Sequence, residues 1–235
     1  MHKIEMSPEV LERIKGLRNS FHIFDKLDPA RTAHIIVDLQ NGFMEPGAIV
    51  ELPVARDIVP NVNDICKAVR AAGGINVFIR FLIDEEAQTT WSSYFADFAS
   101  PERREAMIET FGRDCHGFAL WPDLDVKPDD LIVDKTRFGA FVPGSSQLHE
   151  ILQARGIDTL IITGTATNVC CESTARDAMQ MNYKVIFVAD GNAARTDAEH
   201  NATLDNMVVR FADVMTTAEL VGFLDKAAAM RQAAE

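Results

Sequence analysis

A cysteine pair, Cys170-Cys171, stands where an apolar run, TLIIT at 159–163, gives way through a short turn to a helical stretch. Cys170 falls in the first turn of that helix. A helix start offers unpaired N–H groups and about half a positive charge. That setting lowers a thiol's pKa and supplies donors for an oxyanion. Packing explains the pair as well by placement alone, because free cysteines are often small buried residues. A cysteine nucleophile also needs a base and a cation. Asp38 ends the apolar run AHIIVDL and Lys135 follows DLIVD. An acid and an ammonium at two strand ends suit a cysteine delivered by a third. They equally suit a structural ion pair, since a carboxylate leaving a sheet core needs a partner.

The elements that must position these residues read as alternating strand and helix. Strands are expected at 33–39, 75–81, 130–134, 159–163 and 184–189, with a weaker sixth at 213–216. Their Ile- and Val-rich runs are continuous, as in parallel strands covered on both faces. Helices are expected at 8–17, 54–72 (stopped by Gly73-Gly74), 145–155, 168–182, 198–211 and 217–234. This order predicts a three-layer α/β Rossmann-like domain with a mostly parallel six-stranded sheet. Ligands in such sheets gather beyond the carboxyl ends of the strands. Residues 1–30 read as an amino-terminal arm able to pack on a neighbour, and 31–235 as the main domain. Within it, 82–128 is an insertion carrying both tryptophans, a lid or an oligomer contact.

Composition removes several classes. The 235 residues carry 23 Lys and Arg against 35 Asp and Glu, a formal charge of −12. Such a surface repels phosphate backbones and anionic lipid, so neither nucleic acid nor membrane is an expected partner. No apolar run approaches the roughly 20 residues of a spanning helix. The charged start is no secretion signal, and four cysteines are no disulfide framework, so a cytoplasmic protein is expected. His2, His22, His34, His116, His149 and His200 show no metal-ligand spacing, and His116 beside Cys115 is expected to pack within the insertion. The turn DLQNGF lacks both G-x-G-x-x-G and G-K-[ST], which disfavours a nucleotide-binding module.

Three segments, VDLQNGF at 37–43, DKTRFGAF at 134–141 and GTATNVCCESTARDAM at 164–179, resemble the isochorismatase-like cysteine hydrolases. The likeness runs from about Pro29 to about Leu224. It implies a catalytic triad of Asp38, Lys135 and Cys170, with Cys171 as packing. It also implies a cis peptide at Thr165–Ala166 and an oxyanion hole formed by the Ala166 and Cys170 N–H groups. The TNVCxESTxRDxM wording is similar to the branch holding ureidoacrylate amidohydrolase and the biuret- and triuret-type hydrolases. Nicotinamidase-like relatives carry an Asp-x-His metal cluster after the second strand, where this chain has FLIDEEAQTTWSSYF. No metal and no cofactor are therefore expected. Many relatives have Ser where Gly139 stands, which would take a hydroxyl from the pocket mouth. A homo-oligomer, dimer or tetramer, is implied.

The expected reaction is hydrolysis of a C–N bond in a small carbamoyl, ureido or carboxamide compound through a thioester. An isochorismatase-type or nicotinamidase-type hydrolase and a non-catalytic binding protein on the same fold remain the rivals. Gln40, Phe43, Trp91, Tyr94, Arg137, Phe138 and Phe141 are candidate substrate contacts; each has a plain alternative as a brace, a core residue or a solvated charge. Glu172 and Arg176, four apart on a helix, read as a structural ion pair. Asp205 and Arg210 read as solvated.

Overall fold

The structure, a computed structural model, describes residues 1–18 and 20–232. Six strands form one all-parallel sheet: β1 Thr32–Val37, β2 Ile75–Phe81, β3 Leu131–Lys135, β4 Thr159–Thr165, β5 Lys184–Ala193 and β6 Asp213–Met215. Their order is β3-β2-β1-β4-β5-β6, so β1 and β4 are neighbours and the strand order reverses between them. Every residue of β1 and β4 is buried, as the unbroken apolar runs predict for strands sandwiched between helices. Ala33, Ile35 and Val37 pack on one face with Leu148, Leu152 and Ala175. Ile36 points to the other, with Val62 and Phe78.

The sequence places most elements within a few residues, and the departures have local causes. The expected helix 54–72 is two: Val54–Asp57, then Val59–Ala72. Pro60 in the first turn of the second has no N–H to continue the first helix, and its ring clashes with the turn before it. Gly73 closes the second helix at φ 94°, a left-handed cap that glycine adopts freely. Strand β5 runs four residues past its expected end. Its register with β4 slips between Ile162 and Gly164, and the Asn192 amide bridges the irregularity to the Ile162 and Val188 carbonyls. Cys170 sits in a wide π-type turn, Thr167–Cys171, that feeds the helix Glu172–Gln180. The last helix is Thr217–Gln232; the rest of its expected span lies outside the described residues.

The helix Pro8–Leu17 forms as expected, and it lies against its own chain. Ile14 is buried in the main core, with Met6, Val10 and Leu11 packed on it. The insertion folds as three short helices around Phe95, Met107 and Phe111, which join Phe81 and Ile83 in a satellite core. No helix among the described residues is long and apolar enough to cross a membrane.

His34, midway along the central strand, is wholly buried with Nε2 2.8 Å from Thr163 Oγ1; burial drives its pKa from 6.5 down to about 3. A depressed histidine binds its proton more weakly folded than unfolded. Its contribution is therefore present above the unfolded value and is lost as pH falls below about 6.5. Relative to His34→Gln, wild-type stability is expected to drop by about 1.4 kcal/mol per pH unit between pH 6 and 4 and to stay level above pH 7. Urea unfolding across that range checks this; parallel curves would contradict it.

Candidate active site

The site is built at the reversal of strand order. Gly164, near the end of β4, has φ 123°, and a Cβ there would stand 2.1 Å from the Val37 carbonyl oxygen. Only glycine lets β4 approach β1 so closely. The next residue of β1's path, Asp38, has φ 54°, a left-handed conformation uncommon outside glycine and least unfavourable for Asp and Asn. Such a departure costs of order 1 kcal/mol and turns the carboxylate off the strand. On the other side of the approach, the Thr165–Ala166 peptide is cis.

Lys135 reaches the same point from β3, two strands away. Its register partner on β2 is Phe81, and its ammonium lies 4.8 Å from the centre of that ring. Crossing Phe81, Nζ comes 2.8 Å from Asp38 Oδ2 and also donates to the Arg137 carbonyl at 3.0 Å. Both side chains are fully buried. The Lys135–Asp38 contact is an ion pair set off the hydrogen-bond direction, and neither Asp38 oxygen has a hydrogen-bond partner of good geometry among the described residues. Lone pairs on a buried carboxylate thus stay open toward Cys170, which interacts with both charges.

Electrostatics define the resting state. Burial pushes the Asp38 carboxyl up, while Lys135 and Cys170 pull it back. Burial works against the Lys135 ammonium, but Asp38 and Cys170 outweigh it and its pKa rises. The expected lowering of the Cys170 thiol is corrected here. Burial raises it, Lys135 opposes the rise, and Asp38 adds to it. Desolvation of a thiolate outweighs the half charge of a helix start. The thiol therefore rests protonated beside a carboxylate able to take the proton. Cys171 is raised well above its ordinary range by burial and points into the main core with no exposure.

A cavity of about 230 Å³ opens above the sulfur. Cys170 and Ala166 form its floor, and Phe43, Tyr94 and Phe138 are among its walls. Four other expected contacts are elsewhere. Gln40 is a brace: its amide donates to the Phe81 and Phe118 carbonyls and accepts from the Phe81 N–H, which ties the insertion to β2. Phe141 packs in the core against Tyr183 and His149. Trp91 stacks on Tyr94 from behind, and Arg137 lies over Trp91 while donating to Thr90 and Thr136. Gly139 faces the helix after Cys170, not the pocket mouth; a Cβ there would stand 2.7 Å from an Asp177 oxygen. His116 is an exposed partner of Glu45, not a packed residue.

Three polar lining residues escaped sequence reasoning: Asn168, Arg195 and Glu199. The last two arrive because β5 extends to Ala193, so its carboxyl end delivers Arg195 rather than Asp190. Glu199 is occupied in a capping box with Thr196. Arg195 is exposed and makes no ion pair among the described residues. The structural reading of Glu172–Arg176 stands, at 2.6 Å, and Glu172 also accepts from Thr203. Among the described residues, no three His, Cys, Asp or Glu side chains gather as a metal ion would need.

This fold and this convergence at the strand-order switch define a class. Residues 32–219 match the isochorismatase domain, and the chain belongs to that family. It is 30% identical to the ureidoacrylate amidohydrolase RutB of Caulobacter vibrioides (strain ATCC 19089), over 83% of this chain and 92% of that protein. It is 32% identical to YwoC, an uncharacterized isochorismatase family protein of Bacillus subtilis (strain 168), over 83% and 95%. Among solved structures, a cysteine hydrolase from Pseudomonas syringae pv. phaseolicola 1448A superimposes with TM-score 0.73 at 29% identity, covering 86% of this chain and 95% of that one.

Removing one charge of a buried pair strands the other. Lys135→Met is expected to lower unfolding free energy by about 3–5 kcal/mol, and the double variant Asp38→Asn/Lys135→Met to recover part of that loss. Denaturant unfolding of the three proteins checks it; a double variant no more stable than Lys135→Met would contradict it.

Proposed function

We propose that this chain is a cysteine-dependent amidohydrolase that cleaves a C–N bond of a small carboxylate-bearing carbamoyl, ureido or carboxamide compound. The observation that carries the reading is the meeting of Asp38, Lys135 and Cys170, from three separate strand ends, under one cavity. Kinship with a ureidoacrylate amidohydrolase and a cysteine hydrolase supports the chemistry.

In this mechanism the Cys170 thiol gives its proton to Asp38 as sulfur attacks the carbonyl carbon. The carbonyl electrons move to oxygen, where the Ala166 and Cys170 N–H groups hold the developing charge. Collapse breaks the C–N bond, and Asp38 returns the proton to the leaving nitrogen. Ammonia or an amine departs and a thioester remains. Water then loses a proton to Asp38 and attacks; the C–S bond breaks, and the sulfur recovers the proton. Lys135 keeps Asp38 in place and offsets the transient thiolate. A raised thiol pKa suits this sequence, since charge forms on sulfur only when the carbonyl is present to take it.

The walls argue for the substrate class. Phe43, Tyr94, Phe138 and Met107 suit a flat, apolar body, and the volume admits only a small one. Among the described residues, Arg195 is the one cation of the lining without an ion pair, so an anionic end fits the rim.

A screen of small amides and ureides with coupled ammonia detection tests the reading. Carboxylate-bearing ureides are expected to turn over. Cys170→Ala is expected to reduce turnover by at least ~10³-fold, in line with loss of a nucleophile, whereas Cys171→Ala retains most of it. Equal losses at the two cysteines would contradict the assignment. Arg195→Ala is expected to raise KM for a carboxylate-bearing substrate about 10- to 100-fold, the worth of a charged hydrogen bond.

A further inference from the structure

The amino-terminal segment lies outside the family match, which begins at residue 32, yet it bonds the backbone beside Arg195, a residue of the cavity lining. The His2 side chain is only 4% exposed. Its Nδ1 is 2.7 Å from Asp197 Oδ1, and its Nε2 accepts the Ala194 N–H at 2.9 Å. An accepting Nε2 places the ring proton on Nδ1, where Asp197 receives it. The ring lies flat on His200, with centroids 4.3 Å apart and planes at 19°. His200 is itself fixed, with Nε2 3.0 Å from the Ala189 carbonyl and Nδ1 2.9 Å from the Thr167 hydroxyl. Burial lowers the pKa of His200 to about 4, so this platform stays neutral.

The segment is zipped along the helix Asp197–Asn206. Asp197 takes His2, Asn201 bonds both the Lys3 carbonyl and the Glu5 N–H, and Asp205 accepts the Ser7 N–H. These three helix residues are four apart and share one face. Asp205, expected to be solvated, belongs to this zipper. The Ala194 N–H that His2 holds belongs to the residue just before Arg195. That residue lies just past the end of β5.

We infer that His2 is a positioning residue for substrate recognition. Its imidazole pins the Ala194 backbone against the His200 platform and thereby aims Arg195 into the cavity. The inference rests on the proposed role of Arg195 as the partner of a substrate anion. A side chain free to swing at the rim would meet that anion less often, and binding would weaken while the sulfur chemistry stayed intact. Preorganisation of this kind acts on affinity by removing the ordering cost of the contact.

The test compares the full chain with His2→Leu, which cannot accept from Ala194, and His2→Gln, whose amide oxygen can. Backbone hydrogen exchange of the peptide containing Ala194 and Arg195 is followed in all three. KM and kcat are measured with a carboxylate-bearing ureide and with a neutral one. In His2→Leu, exchange at 194–195 is expected to quicken about tenfold or more. KM for the anionic compound should rise about tenfold, while KM for the neutral compound and both kcat values stay within about threefold. His2→Gln should restore most of both effects. Unchanged exchange at 194–195 overturns the inference. So does an equal rise of KM for both compounds, which marks general loosening, and so does failure of Gln to rescue. Should the wild type turn over neither compound, the amidohydrolase reading fails. Exchange, together with calorimetric binding of the anionic ureide to wild type and His2→Leu, then decides the role of His2: weaker binding by the variant supports it, and equal binding overturns it.

Discussion

Two opposite charges with no access to water, Asp38 and Lys135, set the terms for the rest of the molecule. Taking each from water costs several kcal/mol, and their attraction offsets that only at short range in a fixed geometry. The sheet supplies the geometry. Lys135 starts two strands from its partner and crosses the face of Phe81, while Asp38 adopts a left-handed backbone to meet it. Gly164 lets β4 approach β1 at a distance no side chain would permit, and β4 leads into the turn with Cys170. A parallel sheet brings every carboxyl end to one edge, and the reversal of strand order opens a crevice there.

Among the described residues the carboxylate has no hydrogen-bond donor of good geometry, and Lys135 and Cys170 both act on it. Beside it, burial keeps the sulfur protonated. Carboxylate, ammonium and thiol thus rest as one nearly neutral group beneath an apolar cavity. In the proposed reaction, charge on sulfur is deferred until an electrophilic carbon can accept it. The insertion completes the cavity by adding Tyr94 and Met107 to walls that the sheet alone leaves open, and Gln40 ties it in through three backbone hydrogen bonds.

Much of this was legible in the residues. Apolar runs located six strands, the segments after three of them offered Asp38, Lys135 and the Cys170 turn, and the resemblance to the isochorismatase-like hydrolases joined these as a triad. What escaped detection depends on geometry that no run of residue types encodes. The slip in register that extends β5 is held by one asparagine side chain, and it moves the strand end from Asp190 to Arg195. A glutamine two residues after Asp38 looks the same in sequence whether it faces a pocket or, as Gln40 does, three backbone groups. The helix-start argument for a lowered thiol pKa failed because burial at the floor is the larger effect. A histidine at position 2 gives no hint that its ring is stacked on one almost two hundred residues away.

The account turns on proton transfer from the Cys170 thiol to Asp38 as a covalent bond forms to sulfur. Acid quenching during turnover of a carboxylate-bearing ureide, followed by peptide mass mapping, observes that bond. The account predicts a substrate-derived mass on Cys170 alone, and its loss in Asp38→Asn. An adduct on Cys171, or one on Cys170 that forms equally well without the Asp38 carboxylate, would contradict it.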